Sequence, residues 1–296
     1  MTERNSSTNW PTAAEKRRSL RAMLRQPQAI IAPSVGDALS AILVEAAGLP
    51  AVHCSGSVLH NARGFADGGL LTMTEMAASM AAIAESVRLP LIADADTGFG
   101  SAANVMRTVR EYERAGAAAM HIEDQLTPTR PAMIKGFHIE TVARQVMVEK
   151  IKAAVDARED EGFMIVARCD FKGDPQEVVD RLAAYLEAGA DAAWLPPGPI
   201  DQMRAVRRSL SKPLIGVMAA TMNISEFSEL ANCALLPGSM QVASVHAQQQ
   251  LLESLKRTGG TKDYFDRHAG IEDARGLYAG TGVAALLDID RRYPAR

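Results

Sequence analysis

Short apolar runs alternate with amphipathic stretches of helical period from one end of the chain to the other. "AIIAPSV" (29–35) precedes "DALSAILVEAAG", "AVHCSG" (51–56) precedes "TEMAASMAAIAESVR", and "PLIADADTG" precedes "ANVMRTVREYERAG". Five further pairs follow, the last being "CALLPGS" with "QVASVHAQQQLLESLKRTGG". The apolar runs stay free of polar residues until their ends, the pattern of strands covered on both faces by helices. Glycine closes the helices in "EAAG", "ERAG" and "LEAG", where a left-handed residue is wanted, and proline marks the helix-to-strand turns in "GLP", "RLP" and "SKP". Eight such units predict an α/β fold, a (β/α)8 TIM barrel. A doubly wound open sheet is the alternative, but no glycine-rich phosphate fingerprint follows the first run.

Two pieces lie outside the eight units. A helix over about residues 13–26 is expected to plug the bottom of the barrel. A partly helical C-terminal extension begins at Thr261 and carries the apolar patches "YFDRHAG" and "GVAALLDI". The chain therefore divides into a barrel domain, 1–260, and a tail, 261–296, packed on the barrel or on a neighbouring subunit.

Composition narrows the function classes. The 296 residues are 47% hydrophobic and 23% charged, with a net charge of -3, which gives no support for a nucleic-acid or anionic-membrane partner. The three cysteines, Cys54, Cys169 and Cys233, are scattered and show neither metal-ligand spacing nor a disulfide framework, as expected of a reduced, cytoplasmic protein. The N-terminal stretch is polar without a hydrophobic signal core, and no apolar run approaches the ~20 residues that span a bilayer.

A barrel reading places function at the C-terminal ends of the strands, and the polar residues fall there. Strand two ends in Ser55-Gly56-Ser57, strand three in Asp94 and Asp96, strand four in His121, Glu123 and Asp124, and strand five in Arg168 and Asp170. Asp67 lies in the loop after strand two. Asp94 and Asp96 sit two apart, so an extended backbone would turn both to one side, where they repel unless a metal ion, an arginine or water intervenes. Each acid alone could serve as a helix cap or pair with a surface lysine. Five of them (Asp67, Asp94, Asp96, Glu123 and Asp124) converging on one rim point to a hard divalent cation such as Mg²⁺. His60 and His246 could also reach the rim, while Tyr185 and Trp194 read as packing residues. Strand alternation turns Cys169 away from Arg168, into the barrel–helix layer.

"LIADADTGFG", "REYERAGAAAMHIEDQ", "CSGS" and "IVARCD" resemble the isocitrate lyase/phosphoenolpyruvate mutase superfamily, with strings similar to its 2-methylisocitrate lyase branch. The resemblance runs from Ala29 to Gly189 and more loosely to Gly260. It implies a barrel whose eighth helix is exchanged between subunits, usually within tetramers. It also implies Mg²⁺ at the rim, with Mn²⁺ the alternative ion, and a small 2-oxo or 2-hydroxy carboxylic acid as substrate. By position, Asp94, Asp96 and Glu123 match the metal group, with Glu123 and Asp67 holding metal waters. Ser55, Gly56 and Ser57 match the turn that binds the substrate carboxylate, and Arg168 matches the arginine on its 2-oxo end. Arg168, Asp67 and His121 are the catalytic candidates on this basis, although a satisfied core histidine would look the same at position 121.

The pattern then breaks. The lyases carry a K-R-C-G-H loop after E-D-Q, whereas Gln125 here is followed by "LTPTRPAMIKGFHIE", without a cysteine. Arg130, Lys135 and His138 do not reproduce the motif's spacing, although Gly136 and the mixed charge suit a lid. Strand six has Pro196 and Pro197 where the lyases place a glutamate, and strand seven has Val217 near the place of an asparagine. Retro-aldol or retro-Claisen cleavage needs both a base and an acid. Decarboxylation of a 2-oxo dicarboxylate through an enolate asks for less. The expectation is therefore an oxaloacetate-decarboxylase-like lyase. The alternatives are a 2-methylisocitrate or dimethylmalate-type lyase, a phosphonopyruvate-type enzyme, or a catalytically reduced barrel that only binds a carboxylate.

Overall fold

The computed structural model describes residues 10–132, 134, 136–195, 197–268 and 281–294. Of the residues named above, 1–9 of the barrel domain, Lys135, Pro196, and 269–280 and 295–296 of the tail lie outside that set. Eight parallel strands close into a barrel in chain order: β1 Ile30–Val35, β2 Val52–Cys54, β3 Leu91–Asp94, β4 Ala119–Glu123, β5 Met164–Arg168, β6 Ala192–Leu195, β7 Leu214–Val217 and β8 Cys233–Leu236. Ile30 opposite Cys233 closes β8 onto β1. The helices between them are α2 Ala38–Ala46, α3 Gly56–Ala62, α4 Met73–Ser86, α5 Ala102–Arg114, α6 Arg144–Ala157, α7 Pro175–Glu187, α8 Ile200–Ser209 and the short α9 Ile224–Ser228. The expected (β/α)8 barrel is thus the observed fold, with the extra helix α3 inserted after β2.

Period-two alternation sorts each strand into two layers. Outward residues such as Val52, Cys54, Ala93, Ile122, Ala167, Cys169 and Leu195 pack with the helices in one buried cluster. Inward residues such as Ile92, Ala119, Val166, Trp194, Ile215 and Leu235 form a second cluster inside the barrel. Cys169 therefore lies in the barrel–helix layer, as alternation requires. Toward the strand C-termini the inward positions turn polar, and the register aligns Ser34 with His53, Asp94 with His121, and Glu123 with Arg168.

The N-terminal helix α1, Ala13–Met23, is shorter than its sequence suggested and opens on a Thr12–Glu15 capping box. Leu20 and Leu24 enter the inner cluster and plug the barrel bottom. Buried Lys16 donates to the carbonyls of Ala84 and Val87. Arg17 donates to Ala117 O at 3.1 Å, Glu113 O at 2.7 Å and the Asp160 carboxylate at 2.8 Å. These charges supply donors to carbonyls at strand and helix ends.

After β8, α10 (Ser239–Thr258) has Ser254 as its one buried residue and exposes Val242, Val245, Leu252 and Leu255. Two further helices follow, α11 Lys262–Arg267 and α12 Val283–Arg292, the latter with Leu286, Leu287 and Ile289 exposed. No described helix is long and apolar enough to cross a membrane.

Arg17→Met removes one partner of a buried ionic cluster and takes a charged donor from the carbonyls of Ala117 and Glu113. It is expected to lower the unfolding free energy by about 3 kcal/mol in urea titration.

Candidate active site

The polar mouth is built from β3 outward. The strand ends at Asp94, and Asp96 takes a left-handed φ of 44°. The two carboxylates therefore share the mouth through a turn and not through the extended backbone expected from their spacing. Gly98 N donates to Ala95 O at 2.7 Å to close that turn, and Lys150 Nζ caps Thr97 O at 2.9 Å. Asp94 Oδ1 accepts from Asp96 N at 3.1 Å and Asp94 Oδ2 from Gly56 N at 2.9 Å. A Cβ on Gly56 would stand 3.0 Å from Asp94 Oδ2 and 3.2 Å from Asp96 Oδ1, so glycine is what lets both carboxylates close over β2's end.

The opposite side is organised by Arg168. Its guanidinium lies 3.1 Å from Glu123 Oε2 and forks onto Asp170 at 3.0 and 3.1 Å. It also stacks over Trp194, 4.9 Å from the ring centroid. Burial alone would lower its pKa, but Asp170, Glu123 and Asp94 outweigh that and raise it, so the charge is permanent. Thr129, from the loop after β4, donates to Glu123 Oε1. Gln125 anchors that loop, donating to Asp170 Oδ2 at 2.8 Å and accepting from Arg130 N at 2.8 Å.

A cavity of about 260 Å³ opens between these groups. Ser55, Ser57, Asp67, Asp94, Asp96, Glu123 and Arg168 all line it, so most of the expected site residues do come together. The N–H of Gly56 is engaged by Asp94. His121 stands behind Asp94, its Nδ1 3.6 Å from Asp94 Oδ1.

Asp124 does not join the rim. Alternation from Glu123 turns it outward, where it is fully buried against Arg181 at 3.1 Å and the Tyr185 hydroxyl at 2.8 Å, and accepts from Asp170 N at 2.8 Å. Asp170 instead pairs with Arg168. His60 is a staple, its Nδ1 donating to Gly56 O and its Nε2 accepting from Leu70 N and Leu71 N. His246 is exposed on α10 beside Gln250, and His138 is exposed near Glu140.

His53 and Trp194 also line the cavity. Trp194 is thus a wall of the site as well as a packing residue, and His53 carries no motif. Both occupy inward positions near strand ends: His53 lies two residues before Ser55, and alternation from the outward Leu195 turns Trp194 inward.

The electrostatics fit a hard cation. Burial, then Asp94 and Asp67, push Asp96 well above the usual carboxylate range. Glu123 is also pushed well up, first by burial, then by Asp170, Asp94 and Asp96, with Arg168 opposing. Asp67 is raised by burial and Asp94. Asp94 moves the other way, because His121, Arg168 and His53 together with the Gly56 N–H outweigh its burial. Repelling carboxylates held in a cavity are a donor set suited to Mg²⁺, which takes oxygen ligands and keeps several waters. His53, Asp94 and His121 each also offer a ligand atom within 4.8 Å of one another, but their imidazole Nε2 atoms contact each other at 3.0 Å.

A parallel barrel with an acidic, arginine-bearing cavity at the C-terminal ends of its strands has the layout of the barrel enzymes. The profile of the phosphoenolpyruvate phosphomutase family matches residues 20–256, and the chain belongs to this family. It is 37% identical to a 2,3-dimethylmalate lyase of Eubacterium barkeri, over 93% of this chain and 96% of that one. The fold superposes on phosphoenolpyruvate phosphomutase of Streptomyces platensis subsp. rosaceus with a TM-score of 0.88 at 30% identity, covering 94% of this chain and 99% of that one. A phosphonopyruvate hydrolase solved with oxalate and Mg²⁺ superposes at 0.83 with 29% identity, covering 95% and 99%.

Two substitutions separate the mouth from the layer behind it. Asp96→Asn removes a charge that burial and its neighbours disfavour, and asparagine tolerates the left-handed φ. It is expected to raise the denaturation midpoint in EDTA. Asp124→Ala removes the buried carboxylate from Arg181, leaving it the Glu177 carboxylate alone, and strips Asp170 N and the Tyr185 hydroxyl of their acceptor. It is expected to lower stability by about 3 kcal/mol in the same assay.

Proposed function

We propose that the chain is a metal-assisted lyase acting on a small 2-oxo or 2-hydroxy carboxylic acid through an enolate, with oxaloacetate decarboxylation the foremost reaction. The observation that carries this reading is the pairing of Asp67, Asp94, Asp96 and Glu123 with Arg168 around one small cavity. Asp94 and Asp96 would hold Mg²⁺ or Mn²⁺, with Glu123 and Asp67 on its waters. The ion when bound would supply Lewis-acid polarisation of the 2-oxo or 2-hydroxy group. Arg168, fixed by Asp170, offers a charged donor to the developing oxyanion. Ser55 and Ser57, their hydroxyls 3.0 Å apart, are placed to receive the carboxylate.

Two features favour a reaction that asks little of a protein acid. Residues 126–140 contain no cysteine, and the thiols of Cys54, Cys169 and Cys233 are all buried, which pushes each one up. Water entering the mouth would then protonate the enolate. The far wall, made by Trp194, Val217, Leu235 and Pro237, carries no charge to pair with a third carboxylate. That same wall supports a second reading, cleavage of a hydroxy acid with an alkyl group at C3, and the E. barkeri relative is named for such a substrate.

The exposed apolar residues of α10 and α12 support a homo-oligomer in which the segment after β8 docks on a neighbouring barrel. On that reading 1–260 is the catalytic domain and 261–296 the docking tail, in a cytoplasmic enzyme.

Purified protein with Mg²⁺ should be assayed on oxaloacetate, 2,3-dimethylmalate, 2-methylisocitrate, isocitrate and phosphonopyruvate. Oxaloacetate loss is expected above the Mg²⁺-only background, abolished by EDTA. Turnover of none of the five would overturn the lyase reading in favour of a carboxylate-binding barrel. Arg168→Met is expected to lower kcat/KM by about 100-fold or more.

The cation should also compete with protons. Asp67, Asp96 and Glu123 keep their protons to higher pH than ordinary carboxylates. Mg²⁺ affinity is therefore expected to weaken as pH falls, and binding to release protons. Calorimetry in buffers of different ionisation enthalpy reads the release directly. Buffer-independent heats and a flat affinity would count against these carboxylates as the site.

A further inference from the structure

Three polar side chains form a line beneath the acidic mouth. Ser34 and His53 are register partners on β1 and β2, and Ser34 Oγ lies 2.8 Å from His53 Nδ1. His53 Nε2 lies 3.0 Å from His121 Nε2. His121 Nδ1 faces Asp94 Oδ1 at 3.6 Å and has no hydrogen-bond partner. All four residues are buried.

We propose that this is a directed hydrogen-bond chain, in which Ser34 and His53 fix His121 so that its Nδ1–H faces Asp94, making His53 a positioning residue for the acidic cluster. Two ring nitrogens 3.0 Å apart need one proton between them. Two protons would clash, and none would set lone pair against lone pair. If His121 supplied that proton, its bare Nδ1 would confront the Asp94 carboxylate. If His53 supplies it, His121 carries its hydrogen on Nδ1 and His53 Nδ1 accepts from the Ser34 hydroxyl. For neutral rings, only the second arrangement makes every contact attractive. Both rings are buried, which disfavours the charged form of each.

The chain is no proton wire. It ends at Ser34, fully buried on β1, and moving a proton along it would leave an alkoxide there. Its effect is geometric. With Gly56 N on Oδ2 and Asp96 N on Oδ1, the His121 N–H completes the set that orients the Asp94 carboxylate. Trp194, 4.7 Å from the His121 ring, holds that ring from the side.

The tautomer is independent of any cation, whereas an effect on cation affinity rests on the reading of Asp94 given above. Nitrogen-15 NMR of the full chain with labelled histidine, in EDTA, tests the first. Signals are assigned by their loss in His53→Gln and His121→Asn. His121 is expected to be protonated on Nδ1 and His53 on Nε2; His121 protonated on Nε2 would overturn the proposal.

Mn²⁺ binding followed by electron paramagnetic resonance tests the second. His53→Leu is expected to weaken binding about 10-fold, while His53→Gln, whose amide can still donate to His121, recovers part of the loss. Unchanged affinity in His53→Leu would refute the positioning role. Absence of Mn²⁺ binding by the wild-type chain would refute the cation reading and leave the NMR result to decide the chain. Should His53→Leu not fold, Ser34→Ala keeps both rings. Loss of the single His53 tautomer is then the expected result, and an unchanged one refutes the role of Ser34.

Discussion

The fork of Arg168 onto Asp170, with Glu123 on its other side, is the contact on which the barrel mouth depends. An arginine buried in a barrel interior is tolerated only when its charge is met in several directions, and here two carboxylates and the face of Trp194 meet it. The reverse also holds. Asp94, Asp96 and Glu123 could not crowd one cavity without a fixed positive charge nearby, and even with it Asp96 and Glu123 resist ionisation. The mouth holds more carboxylates than Arg168 can offset, a shortage of positive charge that a divalent ion would meet on the proposed reading.

That charge sits on a scaffold whose outer layer is held separately. Asp124 is adjacent in sequence to Glu123 yet serves a different structure, joining Arg181 and Tyr185 behind the sheet and holding the backbone of Asp170 from there. Gln125 spans the two layers, linking Asp170 to the loop that carries Thr129 and Arg130. Consecutive residues at one strand end thus divide between chemistry and support.

The barrel could be read from the alternation of apolar runs and amphipathic helices, because that repeat is dictated by strands buried on both faces. Asp94, Glu123 and Arg168 were visible for a related reason: charged residues closing apolar strands of a barrel have few places to point. Asp96 reached the mouth by a route its spacing did not indicate, since a left-handed residue cannot be recognised from an aspartate. Asp124 was misplaced because counting strand-end acids ignored alternation. His53 and Trp194 were overlooked because a histidine or tryptophan within an apolar run looks like packing until its inward position is known. The helix α3 was missed because seven residues opening on Gly-Ser give almost no periodic signal.

The plug formed by Leu20 and Leu24 has a bearing on kinetic order. With the lower end filled, the cavity's doorway among the described residues is at the strand C-termini, beside Thr129, Arg130, Pro131, Ala132 and Ile134. A reaction that makes two products from one substrate must pass both through that doorway. On the proposed lyase reading, the fragment held deepest, against Arg168 and the carboxylates, would leave after the one nearer the opening. Traffic through a one-ended barrel is a queue, and the last molecule in the queue is the one that inhibits by occupying the empty enzyme.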